Sequence, residues 1–194
     1  MKKYKLAVFA SGSGTNAQEI INYFKNHASI EVALVLSNSP DAFVLTRASD
    51  SKVPSKVFNK QTYRESEQVL DWLKEYQVTH VVLAGFLWLV PTYLLQAYPH
   101  RIINIHPALL PKYGGKGMYG IRVHELVKSS GDIETGITIH LVDENYDEGK
   151  VLFQAQCLVA PEDTPETIAN KVHDLEYRFY PKIIEKMILE ETGV

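Results

Sequence analysis

The stretch KLAVFASGSGTN, from Lys5 to Asn16, decides the fold class of this chain. Its first six residues are mostly apolar, and Ser11 to Gly14 then end the segment with two serines and two glycines. The next segment, Asn16 to Lys25, spaces its isoleucine and phenylalanine side chains along one face of a helix. A short strand that turns directly into a helix is typical of an α/β sheet whose helices cover its faces.

Strand-like and helix-like hydrophobic patterns alternate along most of the remaining chain. Each change of period falls at turn residues, which predicts strands joined by covering helices and a largely parallel sheet. We predict further strands at Glu31 to Leu36, Val78 to Ala84 and Ile102 to Ile105. We predict helices at Phe43 to Ser51, Thr62 to about Tyr76, and Pro91 to Ala97, with Thr62 and Glu65 as a capping box.

The pattern changes after Thr135. The apolar segments Ile137 to Val142 and Val151 to Val159 are separated by a short polar loop, which predicts an antiparallel hairpin at the sheet edge. A last helix begins at Thr164 and Pro165, and Pro181 is expected to kink or break it. We therefore expect residues 1–194 to form a single domain: a Rossmann-like, mostly parallel sheet with flanking helices and a C-terminal antiparallel hairpin.

Composition excludes several classes of protein. The 194 residues carry 20 Lys and Arg against 23 Asp and Glu, and 45% are hydrophobic, which argues against a disordered chain and a basic nucleic-acid coat. The longest apolar run, Val81 to Val90, is about half of the ~20 residues of a membrane-spanning helix. The basic opening from Met1 lacks the apolar length of an export signal, so we expect a cytoplasmic protein. A single cysteine, Cys157, excludes an internal disulfide and a cysteine metal cage.

The first candidate site is the turn SGSGTN, from Ser11 to Asn16. It lies between a strand and a helix, where glycines admit a close ligand and helix N–H groups attract an anion, so it can cradle a phosphate. Ala17 occupies the third glycine position of a dinucleotide fingerprint, and a Walker sequence is absent, which disfavours a dinucleotide or a nucleoside triphosphate. The alternative is a tight turn in which Thr15 or Asn16 caps the helix.

The second candidate is the segment Asn104-Ile105-His106-Pro107 at the end of a predicted central strand. Side chains two apart on a strand share a face, so the Asn104 amide and the His106 imidazole project together. Open α/β sheets bind ligands at the carboxyl ends of their strands. An amide and an imidazole can stabilise an oxyanion as an amine attacks a carbonyl. The alternative is a capping asparagine beside a core histidine.

The third candidate is the acidic loop from Asp143 to Gly149, which follows a predicted strand. A carboxylate brought beside His106 would raise the pKa of the imidazole and could position a water for proton transfer. The alternative is a solvated hairpin turn. A metal site of His106, His140 and a carboxylate is another alternative, but the chain lacks a His-Glu-x-x-His motif, so we predict no metal.

These motifs together resemble a known family. LAGF at Leu83 to Phe86, INIHPALLP at Ile103 to Pro111 and the loop from Asp143 to Gly149, behind the SGSGTN turn, are similar to the phosphoribosylglycinamide formyltransferases. The resemblance covers nearly the whole chain in the same order. It implies transfer of a formyl group from 10-formyltetrahydrofolate to the amine of 5′-phosphoribosylglycinamide, in purine synthesis. It also implies small-molecule substrates, no nucleic acid or membrane partner, and a monomer or homodimer.

The resemblance further implies a role for particular residues. Asn104, His106 and Asp147 would be the catalytic residues, with His106 held protonated by Asp147. The 5′-phosphate would be held by Gly14, Thr15 and Asn16, while Glu176 would contact the ribose, its alternative being an exposed helix charge. The folate site would comprise a basic residue between Lys60 and Arg64, taken as Lys60, together with Leu87, Trp88, Leu89, Val90, Asn104, Asp143, Glu144, Asn145, Tyr146 and Asp147.

Three departures and three rival functions accompany the resemblance. Ala108 replaces a frequent serine, Trp88 replaces a frequent basic residue, and the glycine-rich segment Gly114 to Met118 replaces a more usual Pro-Gly stretch. Formyltetrahydrofolate hydrolase shares the catalytic residues but has an extra amino-terminal domain, and methionyl-tRNA formyltransferase has an extra carboxyl-terminal one. A first strand close to Met1 and a last helix close to the final residue favour the transferase. A non-catalytic phosphate or nucleotide sensor of the same fold is the third rival.

Overall fold

A computed structural model describes residues 4–190, which form seven strands and seven helices within that range. The strands are β1 (Tyr4–Phe9), β2 (Ile30–Ser37), β3 (Ser55–Val57), β4 (His80–Leu83), β5 (Ile102–His106), β6 (Glu134–Leu141) and β7 (Val151–Leu158). The helices are α1 (Thr15–Phe24), α2 (Val44–Asp50), α3 (Lys60–Glu65), α4 (Gln68–Glu75), α5 (Thr92–Ala97), α6 (Ile121–Ser130) and α7 (Pro165–Glu190).

All seven strands belong to one sheet in the order β3-β2-β1-β4-β5-β6-β7. The first five in this order run parallel, whereas β6 and β7 run antiparallel to their neighbours. The predicted fold class, a mostly parallel α/β sheet with an antiparallel hairpin at its edge, is therefore confirmed. Since β1 lies between β2 and β4, the strand order reverses there, and this reversal opens a crevice at the carboxyl ends of the strands.

The hydrophobic core lies in two layers, one on each face of the sheet. One layer contains the apolar faces of α1, α2 and α7, with Ile20, Phe24 and Tyr180 fully buried. The other contains those of α3, α4 and α5, with Tyr63 and Leu73 fully buried. Strands β1, β4 and β5 are covered on both faces, which explains why the sequence shows them as continuous apolar runs.

The predicted helix from Thr62 to Tyr76 is wrong in two respects. The structure has two helices, α3 and α4, separated at Ser66 and Glu67. The N-cap of α3 is Asn59, whose side chain accepts a hydrogen bond from the Thr62 backbone N–H at 2.8 Å. Thr62 therefore lies within the first turn and does not cap the helix, because an asparagine three residues earlier already fills that role.

The predicted break at Pro181 is also wrong, because α7 continues through it to Glu190. A proline inside a helix removes one hydrogen bond and costs about 3 kcal/mol. Burial of the surrounding residues offsets that cost: Tyr180 and Ile184 are fully buried, and Pro181 is buried between them. The Tyr180 hydroxyl also lies within hydrogen-bond distance of two strand carbonyls, of Leu83 at 2.8 Å and of Ile103 at 3.1 Å.

Two elements were not predicted. Strand β3 has only three residues and an exposed pattern, so it lacks an apolar signature. Helix α6 follows the glycine-rich segment and buries only Val123, His124 and Val127. The capping residue Thr164 is confirmed, since its Oγ1 accepts from the Thr167 N–H at 3.3 Å. Within residues 4–190, no helix combines the length and the apolar character that crossing a bilayer requires.

Candidate active site

A cavity of about 760 Å³ opens at the carboxyl ends of β1, β4 and β5, at the reversal of the strand order. Its wall brings together three of the predicted segments: the turn from Ser11 to Asn16, the segment from Leu83 to Val90 and the end of β5. The loop after β6 contributes Asn145, Tyr146 and Asp147. The three candidate sites of the sequence therefore belong to one cavity.

The turn before α1 leaves the helix without a side-chain cap. Its N-cap is Gly14, in the left-handed conformation at φ 70°, and no side chain accepts a hydrogen bond there. The alternative in which Thr15 or Asn16 caps the helix is therefore wrong. Because first-turn N–H groups of a helix have no partner within the helix, this end of α1 presents donors and a favourable dipole to an anion in the cavity.

Helix α2 and the segment after β4 both form hydrogen bonds with this turn. The Val44 N–H donates to the Gly12 carbonyl at 3.2 Å, and Arg47 Nε donates to the Ser13 carbonyl at 2.8 Å. On the other side, the Leu87 N–H donates to Ser11 Oγ at 3.1 Å. The backbone of the turn is thus fixed by contacts outside its own sequence.

Glu176 lies on α7 with only 5% of its surface exposed, so the alternative of an exposed helix charge is wrong. Asn16 Nδ2 donates to Glu176 Oε2 at 2.8 Å, which joins α7 to the start of α1. Burial raises the pKa of Glu176 to about 7, and the hydrogen bond from Asn16 opposes that rise. The ribonucleotide candidates Gly14, Thr15, Asn16 and Glu176 all line the cavity.

Asn104 and His106 share one face of β5 and line the same cavity, as the strand period predicts. His106 is 3% exposed, and its Nε2–H donates to the Tyr113 carbonyl at 2.7 Å. That bond places a proton on Nε2, because a carbonyl oxygen can only accept a hydrogen bond. The other ring nitrogen, Nδ1, lies 3.5 Å from Asp147 Oδ2.

Asp147 is held between two histidines and a backbone donor. Its Oδ2 accepts from the Gly115 N–H at 2.9 Å, and its Oδ1 lies 3.6 Å from His140 Nε2. Burial favours a raised pKa, but the neighbouring imidazoles of His140 and His106 and the Gly115 N–H outweigh it, so the pKa of Asp147 is lowered. The carboxyl group is therefore ionised at neutral pH.

Two residues around His106 have strained backbones. Tyr113 has φ 57° and Asp147 has φ 59°, in the left-handed region that side chains other than glycine rarely adopt. Such a conformation costs on the order of 1 kcal/mol and is found most often at functional sites. Both strained residues contact the same imidazole, Tyr113 through its carbonyl and Asp147 through its carboxylate.

The effect of burial opposes the expectation that Asp147 holds His106 protonated. Burial lowers the pKa of His106 below its ordinary value. Asp147 and the Tyr113 carbonyl act in the expected, opposite direction, but removal of the ring from water has the larger effect. Burial therefore opposes the protonated form, which the two acceptors around the ring, the Tyr113 carbonyl and the Asp147 carboxylate, both favour.

His140 orients Asn104, a role that the sequence analysis did not assign. The β5–β6 register pairs the two residues directly, and their side chains lie 3.1 Å apart, Nδ2 to Nε2. His140 Nδ1–H donates to the Leu141 carbonyl at 2.9 Å, so Nε2 accepts one amide hydrogen of Asn104. The second amide hydrogen of Asn104 stays available to a ligand. Antiparallel pairing of the hairpin with β5 would have suggested this contact.

The predicted folate segment forms an apolar wall of the cavity. Leu87, Trp88, Leu89 and Val90 line it, and Trp88 packs against Tyr63 with ring centroids 5.7 Å apart. Many members of the family that this sequence resembles have a basic residue at position 88. In this chain Trp88 instead extends an aromatic cluster. Of the predicted folate residues, the cavity lining does not include Lys60, Asp143 and Glu144.

The unusual glycine-rich segment supports the acidic loop. The Gly115 N–H bonds to Asp147, and a Cβ added at Gly114 would lie 2.6 Å from Leu110 Cδ2 and 3.4 Å from Asp147 Cβ. A side chain at position 114 would therefore press on the Leu110 side chain and lie in van der Waals contact with Asp147. Helices α6 and α7 add two histidines to the lining that the sequence analysis also missed, His124 and His173.

A metal site is not built into the described part of the chain. Among residues 4–190, no group of three or more His, Cys, Asp or Glu side chains is arranged to hold a metal ion. Two histidines of the cavity have other partners: His106 bonds to a carbonyl and His140 to the Asn104 amide.

The fold and the cavity define an α/β protein with an uncapped helix terminus and a histidine–carboxylate pair in one site. The family model described as formyl transferase matches residues 4–184, and the chain belongs to this family.

Three individual proteins are similar to this chain over most of its length. A chloroplastic phosphoribosylglycinamide formyltransferase of Arabidopsis thaliana is 40% identical over 100% of this chain and 70% of the relative. A phosphoribosylglycinamide formyltransferase of Bacillus subtilis is 36% identical over 97% of this chain and 95% of the relative. The crystal structure of the Bacillus halodurans phosphoribosylglycinamide formyltransferase superimposes with a TM-score of 0.86 at 39% identity, covering 95% of each chain.

Proposed function

We propose that this chain transfers the formyl group of 10-formyltetrahydrofolate to the amine of 5′-phosphoribosylglycinamide, a reaction of purine biosynthesis. One observation carries the proposal: a single cavity contains the uncapped end of α1 at one side and Asn104, His106 and Asp147 at the other. The names of the similar proteins support the same reaction. The folate and the ribonucleotide are its small-molecule partners.

The phosphate of the ribonucleotide is proposed to bind at Gly14, Thr15 and Asn16. A helix N-terminus without a side-chain cap offers N–H donors of fixed direction, and its dipole favours a dianion. Glu176, joined to Asn16, then faces the ribose, whose hydroxyl groups can donate to the carboxylate or accept from its acid form. This arrangement directs the glycinamide amine toward His106.

The co-substrate is proposed to lie against the apolar wall from Leu87 to Val90. The size of the cavity and its aromatic and aliphatic lining fit a flat ring system, and Asn145 and Tyr146 bring polar groups to its edge. The co-substrate supplies a formyl carbonyl attached to N10. A bond forms between the amine nitrogen and the formyl carbon, the bond from that carbon to N10 breaks, and the proton lost by the amine goes to N10.

Asn104 and His106 are proposed to stabilise the oxyanion that develops on the formyl oxygen. Asn104 keeps one amide hydrogen free because His140 accepts the other. Developing negative charge near His106 favours its protonated form, which counteracts the effect of burial. The interaction between His106 and the formyl oxygen is therefore stronger in the transition state than in the ground state, which is the condition for catalysis. Each well-placed donor contributes about 3 to 4 kcal/mol.

Asp147 is proposed to guide the proton from the amine to N10 through a bound water. Its carboxylate is ionised, is fixed by the Gly115 N–H and lies beside His106 Nδ1. A fixed carboxylate in a water-poor site is a suitable proton acceptor, and the same charge favours the imidazolium once the oxyanion forms.

The test is an assay of the purified protein with 5′-phosphoribosylglycinamide and a 10-formylfolate, following deformylated folate by absorbance. We expect release that requires the ribonucleotide. Release without the ribonucleotide would indicate a hydrolase, and no release by folded protein would favour a phosphate or nucleotide sensor. His106→Ala is the matched control, since the proposal requires that it binds the ribonucleotide but releases little folate.

Three finer expectations remain proposals beside the reaction. We take residues 1–194 to act as one formyltransferase domain, as a monomer or homodimer. We also retain the cytoplasm as the expected compartment, although the Arabidopsis relative is named chloroplastic. Cell fractionation and light scattering of the purified protein test these points separately from the assay.

A further inference from the structure

His124 is a buried histidine of the cavity that the proposed reaction leaves without a role. It lies on α6, is 2% exposed and lines the cavity. Burial, and then the neighbouring imidazoles of His173 and His106, lower its pKa to about 4. The ring is therefore neutral at neutral pH, with one nitrogen that donates and one that accepts.

The hydrogen bonding of His124 is incomplete. Its Nδ1 is buried without a partner, and the ring makes no hydrogen bond to any other group among residues 4–190. A buried N–H without a partner is rarer in proteins than a buried lone pair without one. The proton is therefore placed on Nε2, and His124 presents an N–H donor for which the described part of the chain supplies no acceptor.

The neighbours of His124 indicate where such an acceptor would lie. His124 lines the cavity together with His106, at its reaction end, and His173 of α7, and both imidazoles are close enough to act on its charge. One helical turn after His173 comes Glu176, which bonds to Asn16 of the phosphate turn. His124 therefore shares the cavity with residues of both ends of the proposed ribonucleotide site, which the sugar has to connect.

We infer that His124 is a further binding residue for the ribonucleotide and donates its Nε2–H to an oxygen of the ribose. This inference rests on the proposed function, because the sugar is known only through it. A neutral donor suits a hydroxyl or ring oxygen, which carries no charge. The ligand would thus satisfy the imidazole, and the site would discriminate for a sugar between the phosphate and the amine.

The test compares His124→Phe with the wild-type protein. Phenylalanine keeps a flat ring but removes both nitrogens, so we expect the Kd of 5′-phosphoribosylglycinamide, measured by calorimetry, to rise about tenfold. The KM of the 10-formylfolate should stay unchanged. Because the variant also removes a buried atom without a partner, its Tm should be equal to or above that of the wild type.

Val123→Ala is the matched control, since Val123 is the preceding residue of α6, is fully buried and does not line the cavity. It should lower the Tm without changing the Kd. An unchanged Kd in His124→Phe would overturn the inference, as would a weaker Kd accompanied by a lower Tm of the size seen in Val123→Ala. Wild-type protein that neither binds the ribonucleotide nor transfers the formyl group would instead overturn the proposed function, and the inference with it.

Two smaller ligands locate the contact. Ribose 5-phosphate, tested as a competitor, should lose affinity for His124→Phe by the same factor as the ribonucleotide. Inorganic phosphate should bind both proteins equally. Loss of phosphate affinity in the variant would contradict a ribose contact, because it would place His124 at the phosphate.

Discussion

The two ends of the cavity are built in different ways. The phosphate end is a contiguous segment, Ser11 to Asn16, that acts through backbone groups at the start of α1. The reaction end joins side chains of β5, β6 and the loop after β6 with the backbone of Tyr113 and Gly115. The first depends on local conformation, whereas the second depends on long-range pairing and on the balance between burial and charge.

Because the two ends of the cavity are built differently, we expect them to respond differently to substitution. Backbone donors at a helix terminus do not titrate, so the phosphate end depends mainly on the shape of one turn. At the reaction end His106 and Asp147 have pKa values shifted by burial and by each other. Substitutions there should change the rate, and substitutions in the turn should change binding and stability.

The largest expected effect is on the rate. His106→Ala and Asp147→Asn should each lower kcat about a hundredfold or more, because each removes a group that acts in the transition state. The Kd of the ribonucleotide should change little, since the phosphate end is intact in both variants. Steady-state kinetics with calorimetry distinguishes the two quantities.

Matched variants sharpen this prediction. Asp143→Asn removes a carboxylate from the same loop, where Asp143 Oδ1 only accepts from the Asn145 N–H and lies outside the cavity lining. Its kcat should stay near that of the wild type. An unimpaired kcat in His106→Ala or Asp147→Asn would contradict the assigned roles, and a kcat equally low in Asp143→Asn would attribute the effect to the loop conformation.

The sequence predicts the phosphate end better than the reaction end for a physical reason. The strand, the glycine turn and the start of the helix are all set by residues within about a dozen positions of one another. Likewise, the alternation of strand-like and helix-like hydrophobic patterns predicted the parallel strands, and the short loop between two apolar segments predicted the edge hairpin. In contrast, the pairing of Asn104 with His140 depends on which strand β6 joins, and that is a property of the whole sheet.

Burial explains most of what the sequence did not predict. The sequence pattern does not distinguish His124 and His173 from surface residues, because their helices become neighbours only in the folded chain. Glu176 was predicted only through the resemblance, and its burial has no sequence pattern either. The pKa of His106 also depended on burial, which outweighs the carboxylate that the loop supplies. Likewise, the tertiary contacts of α7 override the helix-breaking tendency of Pro181.

The second prediction concerns stability against pH at Glu176. Its pKa in the folded protein is about 7 against an ordinary value of 4.5, so the folded state holds a proton that the unfolded state has lost in this range. The wild type therefore loses stability as the pH rises from about 4.5 to 7. Glu176→Gln lacks this loss, and its free energy of unfolding should gain about 3 kcal/mol relative to wild type across that window.

Urea unfolding of both proteins at several pH values tests this effect. A constant difference in unfolding free energy between Glu176→Gln and wild type from pH 4.5 to 7 would show that the carboxyl group is not buried in solution.

His124 should affect stability in the opposite direction along the pH scale. Its pKa is lowered to about 4, so the folded state is destabilised as the pH falls below about 6.5. The unfolding free energy of His124→Phe should therefore increase relative to that of the wild type toward low pH.

The third prediction tests the shape of the phosphate turn. In Gly14→Ala the added Cβ would lie 2.4 Å from Val44 Cγ2, and the residue would keep a φ of about 70° that alanine disfavours. Strain and overpacking together should cost about 2 kcal/mol of unfolding free energy and weaken ribonucleotide binding. Gly12→Ala is the control for stability, because a Cβ there meets nothing within 4 Å. Equal stability of the two variants would show that α2 does not hold the turn.

The smallest effect is expected at Lys60, which the resemblance places in the folate site although it is exposed and outside the cavity lining. An exposed cation acts on the carboxylates of a folate through solvent, so the contribution is about 0.5 kcal/mol and decreases with salt. Lys60→Ala should therefore raise the KM of the 10-formylfolate about twofold at low salt and leave kcat and ribonucleotide binding unchanged. Lys74→Ala, which removes an exposed lysine of α4, should change neither. A tenfold rise in KM for Lys60→Ala would instead mean that α3 moves over the cavity when the folate binds, since only a direct, partly buried contact has that strength.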